Sequence, residues 1–536
     1  MAPLTANKRE LRLKRLLSHG YFPAEVPSPF TSVNFAAHAM EFADKWDHTK
    51  IKKFWTAPED YSTPRYGHAR RKLAIVNPIN QLLVCDLIAT NWLAIRKRLI
   101  RSNISEFDPR ILPKGNRAVS GIDFDGVSRR TAEILSSYGR FVKTDIARFY
   151  GSLYTHSIAR AILGKDYCKA NHNTNNFKQS FGNHLDKAVS AGQRGQTIGI
   201  PIGPDSSRIL SELIATEIEL IAEKDIADFG HRSVRYVDDF IVGLQEAETP
   251  AVILRGLSSA LYEYELEVNA EKTLTKGLGQ PHSPEWVHFV RSFEPSARES
   301  RQREDLDSYF EQVIYLADAN SRDNVLLFAA KRAVSFAIAE GNWTHLVRWL
   351  LYISRRSPSC LSFIAEHLAA NHHAEQSISD EISKYILQQI PSKALSAHTD
   401  ELAWLLFWAK NIGLNIPVDL LKHVVALRSS VVGLLVMDLN DKGQLEGKLD
   451  VSYWQSFAST DGLKSSMWLM AYEAAKKGWW PNGVETAYVS DHEFFSDVWE
   501  KDIWFYDENK KARTHTLNKF SNAFSWKPAW SLGYPF

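Results

Sequence analysis

Cysteine is scarce in this chain: Cys85, Cys168 and Cys360 are the only three in 536 residues, and they lie far apart. That excludes a disulfide framework and any paired CxxC zinc site, and it fits a reducing compartment. Long apolar runs are missing too, with no stretch of about eighteen uncharged apolar residues. The N-terminal segment carries Lys8, Arg9, Glu10, Arg12, Lys14 and Arg15 where a secretory leader needs an apolar core. The expectation is a cytoplasmic chain without membrane spans. Length points the other way from scarcity, since 536 residues exceed what one hydrophobic core usually serves and predict two or more domains.

The formal net charge is only +2, yet residues 1–100 hold 16 Lys/Arg against 8 Asp/Glu, so the remainder is net acidic. A basic front is the footprint of a surface that meets phosphate backbones, and a solvated lysine-rich helix is the plainer reading of the same excess.

Residues 5–19 read as a basic amphipathic helix, followed by the extended connector FPAEVPSPF and renewed helical pattern over 33–55. Strands are expected at 71–77, 140–145 and 266–269, a hairpin at 233–244, and helices at 82–99, 155–165, 205–224 and 250–264. A polar loop is expected at 170–180. From about residue 300 the pattern turns helical, with apolar spacing at 324–339, 343–354, 359–370, 400–412, 417–427 and 463–477. The reading is three parts: a basic segment over 1–30, an α/β (α+β) domain over 31–295, and an all-α array or bundle over 296–536.

The chemistry concentrates at two places. RYVDDFIVGL at 235–244 sets two adjacent aspartates, Asp238 and Asp239, on a turn between β-favouring runs. Neighbouring carboxylates repel unless a cation sits on them. RFVKTDIARFY at 140–150 is an apolar strand ending in Asp145, with aromatic Tyr150 five residues on. Two strand ends can thus supply the carboxylates that phosphoryl transfer needs to hold divalent ions on the reacting oxygens.

These segments, in this order, resemble the palm motifs of reverse transcriptases over about residues 60–295. The resemblance implies two Mg²⁺ or Mn²⁺ ions per site, held by Asp145, the Ile146 carbonyl, Asp238 and Asp239. It makes Tyr150 the gate against a ribose 2′-OH, and Lys272 in LEVNAEKT the cation or general acid at the leaving pyrophosphate. Arg70, Arg71 and Lys72 in RRKLAIVNP would grip the triphosphate. TIGIPIGPDSSRI at 197–209 resembles the template-contacting motif, with Gly203 close to the incoming nucleotide and Ile202 where many relatives carry glutamine. WVHFV at 286–290 would be a primer-grip hairpin.

The GIPIGPDSSR form and the long helical second half are similar to bacterial abortive-infection and other defence-associated reverse transcriptases. That resemblance implies dNTPs as substrates, a DNA product, antiphage action and a homo-oligomer, a trimer or hexamer. Synthesis would be either protein-primed and template-independent or directed by a dedicated non-coding RNA. As priming tyrosine, Tyr21 stands out between the basic helix and the proline-rich connector; the plainer reading makes Tyr21 and Phe22 an anchor for that helix. A non-catalytic nucleic-acid scaffold and a conventional retron or intron enzyme are the competing readings. His172, His372 and His373 lack zinc-ligand spacing, and the tryptophans of the second half, such as Trp404 and Trp408, are expected as packed core.

Overall fold

The computed structural model describes residues 2–67, 69–277, 284–371, 378–481 and 483–513, with side chains from residue 8 onward. His372, His373 and the aromatic tail at 525–536 lie outside these residues.

Strand β1 (Glu59–Pro64) pairs antiparallel with β2 (Arg70–Ile75), Glu59 opposite Ile75 and Pro64 opposite Arg70. A second sheet runs in the order β4-β5-β3-β6, built from β3 (Phe141–Asp145), β4 (Ser233–Tyr236), β5 (Asp239–Gly243) and β6 (Leu274–Lys276), all antiparallel. Period-two alternation splits its residues. Phe141, Val234 and Ile241 pack with Ile134 of the Phe124–Tyr138 helix. Val142, Phe240 and Val242 face the main core. The Asp205–Asp225 helix is buried along most of its length and supports that core.

Several expectations need correction. The 33–55 helix is broken into Val33–Ala37, Ala39–Lys45 and His48–Ile51. The 82–99 helix divides into Pro78–Thr90 and Trp92–Leu99. The 170–180 loop holds the helical turns Lys165–Asn171 and Asn175–Lys178. The 266–269 strand reduces to one bridge, Val268 to Ile146. WVHFV is no hairpin but part of the Glu285–Ser292 helix, with Trp286, Val287 and Val290 buried.

Part of the basic N-terminus turns inward. In the Ala2–His19 helix, Arg9 bridges Asp44 and Asp86, and Arg15 donates to the carbonyls of Leu112, Gly115 and Arg117. Those two charges hold the chain together, whereas Lys8 and Lys14 are exposed.

The second half does not stand apart. Helices from Glu299–Ala319 to Ser379–Leu395 follow one another, and the stretch from Thr399 onward folds back on the β1–β2 hairpin and the N-terminal connector. Tyr61 Oη donates to Asp400 (2.9 Å), Trp468 Nε1 to the Ile75 carbonyl (3.2 Å), and Thr31 N–H to the Phe505 carbonyl (2.9 Å). One continuous apolar core runs from Leu13 to Tyr506 and contains Trp404, Trp408, Trp454 and Trp468. Among the described residues no single helix is long and apolar enough to cross a membrane; Pro78–Thr90 and Trp92–Leu99 reach that size only as a pair bent by 71°.

Candidate active site

β3 delivers Asp145 at its last position, and the antiparallel register sets Asp145 directly across from Asp239, the first residue of β5. Between β4 and β5 the loop is two residues long, Val237 and Asp238. Short hairpins favour turns with positive φ at the first central residue, usually glycine. Here that residue is Val237, at φ +56°. A β-branched side chain in the left-handed region costs about 1–3 kcal/mol and persists only where its surroundings hold it. The turn carries Asp238, whose carbonyl accepts the Ile146 N–H at 3.2 Å and so fastens the hairpin tip to the end of β3.

Three carboxylates therefore meet at one end of the sheet. Burial, then Asp239 and Asp145, push Asp238 up to about 7, and burial foremost also raises Asp239. Lys143, Lys272 and Arg65 oppose the rise at Asp239. The Lys272 ammonium pairs with Asp145 Oδ2, whereas Asp145 Oδ1 is buried without any hydrogen-bond partner. An orphaned buried carboxylate oxygen beside two mutually repelling carboxylates is the donor set a divalent cation satisfies. Among the described residues no group of three or more His, Cys, Asp or Glu side chains is placed to hold a metal ion by itself. Mg²⁺ is commonly held by one or two carboxylates plus substrate phosphates, so an open set suits it.

Tyr150 follows on the Phe149–Ser152 turn, half-buried, its hydroxyl accepting from Ser211 Oγ at 3.0 Å. Burial foremost pushes its phenol up to about 12, and Asp238 is near enough to contribute. The three basic residues of β2 part company because a strand alternates its side chains. Arg70 pairs with Glu401 and exposed Lys72 with Asp60, both away from the carboxylates. Arg71 points the other way, close enough to feel the charges of Glu25 and Asp238. Of the three residues expected to grip a triphosphate, Arg71 is the one near Asp238.

Gly203 is placed in packing: a Cβ there would stand 2.6 Å from Pro23 Cγ, and its φ of +130° suits glycine. Next to it, the Ile202 carbonyl accepts the Ala74 N–H at 2.7 Å, tying this loop to β2. Tyr21 is fully buried, its hydroxyl donating to the Val76 carbonyl at 2.5 Å and its ring against Phe22 and Phe505. That is the anchoring role, with the phenol far from solvent. His172 is an exposed histidine on the Lys169 carbonyl.

Two contributors escaped the sequence reading. Lys143 lies two positions before Asp145 on the same strand face, so alternation alone could have found it. Arg65, in the loop after β1, is brought near Asp239 only by the tertiary fold, with a buried Nε lacking a partner.

No protein-family model matches the chain, and no curated protein matches it. Among solved structures, the telomerase of Candida albicans in complex with a fragment of telomeric RNA is similar at 12% identity, covering 75% of this chain and 67% of that one, TM-score 0.28. Apo telomerase from Candida tropicalis is similar at 12% identity over 74% of this chain and 72% of that one, TM-score 0.29. A likeness this loose carries no functional weight; the weight lies in the carboxylate geometry.

Proposed function

We propose that this chain is a DNA polymerase of the reverse-transcriptase type, joining dNTPs by two-metal nucleotidyl transfer. The observation that supports this most directly is Asp145 registered across from Asp239, with Asp238 in the turn just before Asp239 and one Asp145 oxygen buried without a partner. In the reaction a hydroxyl oxygen bonds to the α-phosphorus of the dNTP as the bond to the bridging oxygen breaks and pyrophosphate leaves.

Asp145, Asp238, Asp239 and the Ile146 carbonyl would hold the Mg²⁺ ions, which when bound neutralise phosphate charge and favour ionisation of the attacking hydroxyl. Lys272 stands on Asp145, where its ammonium can pass a proton to the leaving pyrophosphate. Arg71 would supply positive charge near Asp238, and Tyr150 would offer a ring beside the sugar. Antiphage action, a homo-oligomer, and self-primed or RNA-directed synthesis belong to the same proposal, supported by the sequence form GIPIGPDSSR and the long helical half.

Asp145→Asn and Asp238→Asn should each lower dNTP incorporation by at least about 10²-fold while the thermal transition stays cooperative, because each removes charge at a preformed site. A well-folded double variant that incorporates like wild type would end the polymerase reading. Sequencing nucleic acid copurified from cells identifies the template, or shows an untemplated product.

A further inference from the structure

We infer that Arg235, clamped by Glu212 and Glu219, is a positioning residue that holds the Val237–Asp238 turn in its left-handed form and thereby fixes Asp238 relative to Asp145. The inference rests on the polymerase reading only for its kinetic consequence; the geometric claim stands on its own.

The Arg235 side chain is completely buried on the core face of β4. Its guanidinium forks onto Glu212 (Nη1 to Oε2 at 3.0 Å, Nη2 to Oε1 at 2.7 Å) and onto Glu219 (Nε at 3.2 Å, Nη2 at 3.1 Å). These glutamates are seven positions apart on the Asp205–Asp225 helix, hence on one face of it. The remaining reach of Nη1 goes forward along the chain, donating to the Val237 carbonyl at 2.9 Å. That is the peptide between the strained residue and Asp238. The backbone of Arg235 is fastened as well, its N–H to the Ile104 carbonyl (2.7 Å) and its C=O to the Glu106 N–H (2.8 Å).

The glutamates are themselves satisfied by a second element. Ser105 Oγ donates to Glu212 at 2.7 Å, and Ser102 Oγ and the Asn103 N–H donate to Glu219 at 2.8 and 3.1 Å. Helix, loop 102–107 and hairpin are therefore locked through one guanidinium. Ser211, adjacent to Glu212, holds the Tyr150 hydroxyl, so the same helix sets both the carboxylate turn and the aromatic ring beside it. Buried ion clusters are seldom better for stability than well-packed apolar residues. A cluster that ends on a strained turn next to the reacting groups is better explained by geometry than by stability.

Hydrogen exchange on the full-length protein tests this without reference to activity. Arg235→Met should speed exchange of the hairpin amides at 236–240 by tenfold or more while the Ser430–Asp441 helix keeps its rate, and Mn²⁺ affinity read by electron paramagnetic resonance should fall by a similar factor. Val237→Gly, which accepts positive φ without support, should return at least half of both losses in the Arg235→Met background. Arg235→Lys keeps the charge but loses the fork; it guards against failure of the methionine variant to fold and should show the same local effect. Unchanged hairpin exchange and Mn²⁺ affinity in a folded Arg235 variant would overturn the positioning role. If wild type itself shows no incorporation, the polymerase reading fails while these two readouts still decide the geometric claim.

Discussion

Arg70 of the β1–β2 hairpin closes on Glu401 of the helical half through two parallel hydrogen bonds, Nη1 to Oε1 at 2.8 Å and Nη2 to Oε2 at 2.6 Å. Burial pushes the Glu401 carboxyl up, but the bonds from Arg70 and the contact with His398 outweigh it and bring the group down to about 2. The strand that carries Arg71 is thus held by the last third of the chain.

Breaking that clasp from one side should be costly. Arg70→Ala leaves the fully buried Glu401 without its bidentate partner, and loss of one member of a buried pair typically costs about 3–5 kcal/mol. Arg70→Ala/Glu401→Gln should recover a good part of it, since no uncompensated charge remains. Urea unfolding curves of the two proteins check this; equal midpoints would mean that the pair does not couple the halves.

Removing residues 300–536 should accordingly leave an insoluble fragment. Such a truncation deletes the partners of Glu59, Tyr61, Arg70, Ile75 and Asn77 and opens the shared core. A soluble fragment with a cooperative unfolding transition would contradict it.

Much of the site was legible because its signals are local. Val234 to Val237 and Phe240 to Val242 announce strands around Asp238 and Asp239, and a strand ending in Asp145 is visible by itself. Their register is long-range and was not legible. β1, EDYSTP, escaped because aspartate and proline disfavour strands; it exists by pairing with β2 and resting on Asp400 and Ser429. The Ser430–Asp441 helix, SVVGLLVMDLND, has β-branched residues that argue against a helix, and burial from Ser430 to Leu439 overrides them. Conversely 417–427 has helical spacing but forms only a short 3₁₀ turn, Val418–Leu421. Arg235 lay in plain view inside the hairpin motif, but only its partners, 16 and 23 residues away in sequence, show what it does.

Stability should fall as pH rises from about 4.5 to 7, in part through Glu59. This carboxylate is fully buried, accepts from Ser429 Oγ (2.9 Å) and the Val431 N–H (3.3 Å), and has one oxygen without a partner. Burial pushes it from its ordinary 4.5 up to about 7. The native state then holds a proton that the unfolded chain has released, so this contribution is full below 4.5 and lost as pH passes 7. It amounts to roughly 3 kcal/mol. Glu59→Gln should flatten that part of the slope, whereas Glu473, also raised to about 7, keeps its own in both proteins. Denaturation at pH 5 and pH 8 gives the difference; parallel slopes would refute the assignment.

Tyr150 and the Phe149 ring beside it meet edge to face at 5.5 Å, and the Ser211 bond fixes the phenol. Truncation to alanine opens space where a 2′-OH would sit, and single-contact discrimination of this kind is worth about 1–3 kcal/mol. Tyr150→Ala should therefore raise ribonucleotide use relative to deoxyribonucleotide roughly tenfold or more. Competition with labelled dNTP and NTP measures it, and a constant ratio would remove Tyr150 from sugar selection.

If synthesis starts on a tyrosine, Tyr21 should not be the one. To attack an α-phosphorus its phenol must reach the carboxylates and lose its proton. It is instead sealed between the Ala2–His19 helix and Phe505, with its proton on the Val76 carbonyl and its pKa pushed well up by burial. Releasing it would expose Leu13, Leu16, Leu17 and Phe22, which pack in the same core. Fully exposing even two such side chains costs about 3–6 kcal/mol, too much for a step that begins every synthesis. Tyr21→Phe keeps the packing and loses one hydrogen bond, about 1 kcal/mol. Protein incubated with labelled dNTP and Mg²⁺, then boiled in detergent, should carry as much covalent label in Tyr21→Phe as in wild type. Loss of the label in a variant of unchanged stability would show that the connector unpacks and that Tyr21 is the primer after all.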